Sequence, residues 1–286
     1  MRLKDRIAFV LDGVGVTTFL FYCSMLQYGK QHIRVVNYHG TPVSDWKNFE
    51  AQLKFYQTHY SSVSLPDLES FFSTQTWPKR KPGLILSFDD GYRNNMDVAR
   101  PLLEKYNFIG WFFVPVGLIE SDVHEQAAFA GGKKELLSKT YPDGRLLMSW
   151  EEIGELGKGH VIGCHTFSHH RMNVSDSDAL LTHEISVSKQ IMENKLGRSI
   201  PIFCWVGGEE HTYTNAAAQK IKSGGYKFSF MTNSYPIRPH ENPLQIQRTN
   251  IESDNPLFLV RFQLSSLMDL LYVLKRRRVN RITEIQ

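Results

Sequence analysis

The chain has 286 residues, 42% of them hydrophobic and 22% charged, a composition that fits one large globular domain with a sizeable core. Its 33 basic and 29 acidic residues leave a formal charge of +4, too small an excess to indicate a nucleic-acid partner, which calls for a basic stripe. Three cysteines, Cys23, Cys164 and Cys204, are too few and too scattered for a disulfide framework and favour a reducing compartment.

The chain opens with the basic "MRLKDR", followed by a mostly apolar stretch over residues 7–26 that Asp12 and two glycines interrupt. A carboxylate near the middle of a membrane span costs about 2.5–3.5 kcal/mol, and no small-residue cleavage site follows. Residues 1–32 therefore read as one apolar helix with three open roles: packing on the domain, lying on a membrane surface, or acting as a signal anchor. The first two place the protein in the cytoplasm or on the cytoplasmic face of a membrane; the third places it outside.

Seven short apolar runs follow, at 33–40, 83–91, 110–117, 160–169, 200–208, 226–233 and 244–251. Most are continuously apolar at their start, as strands covered on both faces are, and end in polar residues or glycine. Helical patterns lie between them. "SDWKNFEAQLKFYQTHY" has a Ser or Asp cap, with Trp46, Phe49, Leu53 and Tyr56 at helical spacing. "MSWEEIGELGKG" has a Ser cap and stops at glycine, "DSDALLTHEISVSKQIMENKLG" is a long helix with a glycine stop, and "TNAAAQKIKSGG" is another helix. Strands alternating with helices predict an α/β fold, a parallel sheet closed or nearly closed into a distorted (β/α)7 barrel over residues 33–254. Residues 118–148 read as a loop-rich insertion. Residues 255–286 read as an amphipathic helix with a stripe of Leu264, Leu267, Leu271 and Leu274 and a basic end from Lys275 to Arg278. That helix either packs on the barrel or docks on an anionic membrane or a lipid-linked substrate.

In such a barrel the working residues stand where strands end. Asp89 and Asp90 end the second run, His165 and His169 the fourth, His39 the first, and Trp205, Gly207 and Gly208 the fifth, while Arg248 lies in the seventh. Two adjacent carboxylates leaving a core repel each other and need compensation. Two histidines four residues apart, with one aspartate, form a ligand set that leaves metal positions open. One aspartate can then bind the cation while the other takes a proton from water.

"LSFDDGY" and "HTFSHH" resemble the first and second motifs of the polysaccharide deacetylases, carbohydrate esterase family four, and "SWEEIGELGKGHVIGCHTFSH" resembles the family's usual approach to the second. The likeness runs over residues 33–251. It implies a catalytic base at Asp89, metal ligands at Asp90, His165 and His169, and a divalent metal, zinc first, with iron, cobalt or nickel also suited to the set. "VVNYHG" resembles family members with permuted strand order, which implies His39 as the general acid, with His211 and His240 as alternatives. The third motif departs from pattern: in "FCWVGGE", Trp205 takes the aromatic place, Val206 replaces proline and Gly208 takes the glycine. The arginine that orients the base in many members is missing there. Gly207 is a candidate oxyanion donor. Arg248 resembles a recurrent late arginine that either orients a site carboxylate or pairs structurally. Tyr92 and Trp205 are candidates to stack on a sugar ring, with a place in the core as the alternative for Trp205. Cys164 and Cys204 read as small buried residues, with Cys164 facing away from the metal.

The resemblance implies an N-acetylated glycan as partner and a metal-dependent removal of its acetyl groups. The altered third motif also fits a catalytically weakened glycan-binding module. A non-haem iron oxygenase shares the ligand set, but no cosubstrate site accompanies it in the sequence.

Overall fold

The computed structural model describes residues 9–131 and 141–285. Its strands are β1 (Ile33–Tyr38), β2 (Ser61–Ser62), β3 (Gly83–Phe88), β4 (Gly110–Val114), β5 (Val161–Cys164), β6 (Ile202–Cys204), β7 (Phe228–Met231), β8 (Ile246–Gln247) and β9 (Thr249–Asn250). They form one parallel sheet in the order β8-β7-β6-β5-β4-β3-β1-β9, with β2 on the start of β3. Each predicted run contains one strand, except the seventh, which contains two. That run pairs with β7 at Ile246 and Gln247 and with β1 at Thr249 and Asn250. The ring of seven strand positions therefore closes through one short segment that changes partner at Arg248.

Alternation along the strands sorts the side chains into two layers. Val35, Ile85, Trp111, Phe113, Ile202, Cys204 and Phe230 fill the interior, with Phe71 and Trp77 packed into the same cluster. The intervening residues, among them Val36, Leu86, Phe112, Cys164 and Phe203, pack outward against the helices. A Cβ on Gly163 would lie 2.6 Å from Ile202 Cγ1, so the absent side chain lets β5 and β6 close beneath the strand ends.

The predicted helices form, though not all with the expected caps. Trp150–Leu156 begins with a capping box between Ser149 and Glu152, and Asn215–Ser223 is capped by Thr214. Residues 178–196 are helical, with a π-type stretch at Thr182–Val187, and stop at left-handed Gly197. Trp46–His59 lacks the expected side-chain cap; a single 3-10 turn, Val43–Asp45, leads into it instead.

Three expectations need correcting. The insertion is not loop-rich at its start, where Val116–Glu120 and Val123–Ala130 are helical; its part at 132–140 lies outside the described residues. The C-terminal region is not one helix but three, Leu257–Gln263, Ser266–Leu271 and Val273–Ile282. Ser265 breaks the first from the second by taking an extended backbone and donating its hydroxyl to Phe262 O at 2.6 Å. The leucine stripe is split as a result: Leu264 is buried, whereas Leu271 and Leu274 are exposed. The N-terminal helix likewise breaks at left-handed Gly15, leaving Val16–Tyr28 as its main part. No helix among the described residues is long and apolar enough to cross a membrane.

Both ends of the described chain pack on each other. Val16–Tyr28 lies against Leu257–Gln263 and Ser266–Leu271, and Leu257–Gln263 also meets Trp46–His59. Arg34 of β1, fully buried, donates to Asp269 Oδ1 and Oδ2 at 2.8 and 2.6 Å, and Tyr28 donates to the same carboxylate at 2.8 Å.

Candidate active site

β3 delivers Asp89 and Asp90 to the mouth of the barrel, where Asp90 and Gly91 both take left-handed backbone, with φ of +72° and +69°. This sharp turn aims the two carboxylates differently. Asp89 meets Arg248, which donates from Nη1 to Oδ1 at 2.7 Å and from Nη2 to Oδ2 at 2.8 Å. Asp90 meets the histidines. The same arginine is anchored on Ser87 Oγ at 3.1 Å and lies over the Phe113 ring.

β5 delivers His165, and the following loop brings back His169. Thr166 and His169 have φ of +65° and +60°, a conformation that costs a non-glycine residue energy and that clusters at functional sites. Buried Glu184 fixes the loop by accepting from the Phe167 and Ser168 N–H groups at 3.0 and 2.9 Å and from the Ser168 hydroxyl at 2.7 Å. Thr166 Oγ1 accepts from the His170 N–H at 3.0 Å, and His170 Nε2 pairs with Asp176 at 2.9 Å, which turns that imidazole away from Asp90.

Asp90 Oδ1 lies 3.0 Å from His169 Nε2 and 3.6 Å from His165 Nε2, all three within reach of a single ion. His165 Nδ1 is 3.0 Å from the Cys204 carbonyl. A carbonyl only accepts, so Nδ1 carries the proton and Nε2 offers its lone pair toward Asp90. Asp90 Oδ1 is buried and, among the described residues, makes no well-formed hydrogen bond. A buried carboxylate oxygen without a donor, facing two imidazole nitrogens, is the arrangement a divalent cation completes, so the residues fit the metal.

Burial opposes ionisation of both aspartates. For Asp89 the Arg248 guanidinium outweighs it, and for Asp90 the neighbouring imidazoles do, so both carboxyls sit below the usual range. His39 Nδ1 is 3.1 Å from Glu252 Oε1. Burial works against the imidazolium, but the Glu252 hydrogen bond and the Asp90 and Asp89 carboxylates raise His39 to about 9.

Asp89, Asp90, His165, His169, His39 and Arg248 all line one cleft of about 420 Å³. Gly207 lines it too, with φ of +85°, a backbone that favours glycine. The alternative acids do not reach it: His211 and His240 are exposed and absent from the lining. Tyr92 is corrected as a sugar platform, and Trp205 takes its core alternative, because each is only 1% exposed. Tyr92 stacks on Phe129 and bonds to Asp90; Trp205 donates to Ser229 Oγ at 2.7 Å. Cys164 faces outward onto Ser188, whereas Cys204 lies inside, with Sγ 3.8 Å from Asp89 Oδ1.

Four contributors went unread in the sequence: Glu184, Glu252, Tyr272 and Lys275. The last two, from the C-terminal helices, line the cleft, and Lys275 donates to the Gly208 carbonyl. Glu252 had a usable signal, since it stands one residue past the seventh run. Glu184 sits inside a helical pattern and had none.

A parallel (β/α)7 barrel with an Asp-His-His cluster at its C-terminal mouth defines a hydrolase-type scaffold with room for one metal. The polysaccharide deacetylase family model matches residues 77–229, more than half of the chain, and the chain belongs to that family. A Bacillus subtilis (strain 168) protein with a provisional polysaccharide deacetylase name, YxkH, is 25% identical over 65% of this chain and 57% of its own length, so the match spans little more than half of that relative. Among solved structures, the Streptococcus pyogenes deacetylase PplD in complex with acetate is similar at 19% identity, covering 81% of this chain and 98% of that one with a TM-score of 0.64. IcaB from Ammonifex degensii matches at 18% identity, 82% and 98% coverage and a TM-score of 0.64. A de-N-acetylase from Aggregatibacter actinomycetemcomitans matches at 16%, 81% and 99% coverage, and the same TM-score.

Proposed function

We propose that the chain is a metal-dependent hydrolase that removes N-acetyl groups from the amino sugars of a polysaccharide or lipid-linked glycan. The observation that carries the reading is the convergence, in one cleft, of a metal-ligand set, an arginine-held aspartate and a carboxylate-paired histidine.

Asp90, His165 and His169 would hold the ion, with zinc the first choice and iron, cobalt or nickel compatible. Such an ion supplies Lewis acidity and makes water easier to deprotonate. Asp89 is the base: Arg248 keeps it ionised and fixes its plane, and each oxygen retains a lone pair for the proton of the attacking water. The Gly207 N–H meets the charge that develops on the acetyl oxygen. His39, held by Glu252, gives its proton to the departing sugar nitrogen, so the products are acetate and a free amine.

The altered third motif also fits a catalytically weakened glycan-binding module, and one part of that alteration is the missing arginine. Arg248 supplies a guanidinium on Asp89 from another strand, which takes the place of that arginine and favours the hydrolase.

The test is acetate release from N-acetylated chito-oligosaccharides together with elemental analysis. Asp89→Asn is expected to lose about 10²–10⁴-fold in rate while keeping its metal, and His165→Ala to lose both. Acetate release by either variant at the parent rate, or full metal content in His165→Ala, overturns the reading.

A further inference from the structure

Leu270, Leu271 and Leu274 are 66, 66 and 65% exposed, and Tyr272 and Lys275, interleaved with them, line the cleft that holds Asp89 and His39. Three large apolar side chains left open together at the mouth of a cleft mark an interaction surface. The last helix then continues with exposed Arg277, Arg278 and Arg281. Leu274, Arg277, Arg278 and Arg281 fall at i, i+3, i+4 and i+7 and share one side. Arg278 pairs with Glu210 at 2.8 Å. Arg277 and Arg281 have no ion-pair partner among the described residues, and no acidic residue occurs from 270 to 283.

We propose that this leucine–arginine ridge docks the protein on an anionic lipid bilayer. The leucines enter the acyl boundary, Arg277 and Arg281 meet lipid phosphates, and the cleft opens at the membrane surface to take an amino sugar presented there. The charge pattern selects this occupant: apolar side chains flanked by unpaired cations complement an anionic bilayer, whereas a two-fold contact between copies would set the same cations against each other. Only the substrate consequence rests on the deacetylase reading; the docking stands on the ridge.

The experiment is sedimentation of the full chain with phosphatidylcholine vesicles, with and without phosphatidylglycerol. The parent is expected to bind the anionic vesicles. Leu270→Ser/Leu271→Ser/Leu274→Ser is expected to lower partitioning by about tenfold or more, and the single Leu274→Ser to lower it in the same direction should the triple variant fail to fold. Arg277→Gln and Arg281→Gln are each expected to lower it about fivefold, on anionic vesicles only. Phe19→Ser/Leu26→Ser, on the exposed side of Val16–Tyr28, is the comparator. No vesicle binding by the parent, parent-like binding by the leucine variants with loss only in the comparator, or a parent dimer that the leucine changes split into monomers each overturns the proposal. Acetate release from a soluble oligosaccharide, unchanged by these exposed substitutions, separates failure of the docking from failure of the hydrolase reading.

Discussion

Neighbouring aspartates at one strand end can do different work because each has a different partner. Arg248 occupies both oxygens of Asp89, while Asp90 Oδ1 faces the His165 and His169 imidazoles. His39 likewise has its own partner: the proposed acid has to carry a proton at neutral pH, and a nearby carboxylate favours that form. The His39 shift has a definite sign. Its folded pKa lies above the ordinary histidine value, with Glu252 the largest contributor to that rise, so the protonated form, the one the proposed mechanism uses, is lost as pH climbs through it. In Glu252→Gln the hydrogen bond can persist but the negative charge is gone. The alkaline limb of kcat/KM is then expected to move to lower pH, with the acid limb unmoved. A parent-like alkaline limb in this variant would show that His39 does not supply the proton.

Elements set how far the sequence could be read. The seven strands were legible because each is buried on both faces and so appears as a short apolar run, and the two deacetylase motifs were legible because they lie where such runs end. The closing segment reads as a single strand; nothing local says that it changes partner at Arg248, and hence nothing local decides whether that guanidinium meets Asp89, 159 residues away. Burial of Tyr92 and Trp205 was equally hidden, since an aromatic at a strand end looks alike whether it faces a helix or a ligand. Glu184 is the strongest case. It lies in the helical stretch after the histidine loop, and its carboxylate takes three donors from that loop. Partners that orient metal ligands typically contribute about 10–100-fold to metal affinity. Glu184→Gln, which keeps the size and loses acceptor capacity and charge, is expected to weaken metal binding by about that range while Asp90, His165 and His169 stay intact. Chelator competition measures it, and an unchanged affinity would reduce Glu184 to a fold-supporting residue.

At the scale of the whole molecule, both terminal regions are joined to the barrel at one carboxylate. Asp269 receives Arg34 from β1, Tyr28 from the N-terminal helix and Ser234 Oγ, at 3.1 Å, from the segment after β7. Arg34 is fully buried, so its charge is tolerable only while Asp269 faces it; removing one member of such a pair leaves the other uncompensated and costs about 3–5 kcal/mol. Asp269→Ala is therefore expected to lower unfolding free energy by about that amount in urea titrations, with little change when Arg34 and Asp269 are replaced together by Met and Leu. The double variant isolates the cause: if it is as unstable as Asp269→Ala, the loss lies in packing and not in the orphaned guanidinium. Because Tyr272 and Lys275 follow Asp269 by only a few residues and line the cleft, loosening this joint should also reach the site. Asp269→Ala is expected to raise KM more than it lowers kcat, since the wall it releases lines the cleft while Asp90, His165 and His169 stand on other elements.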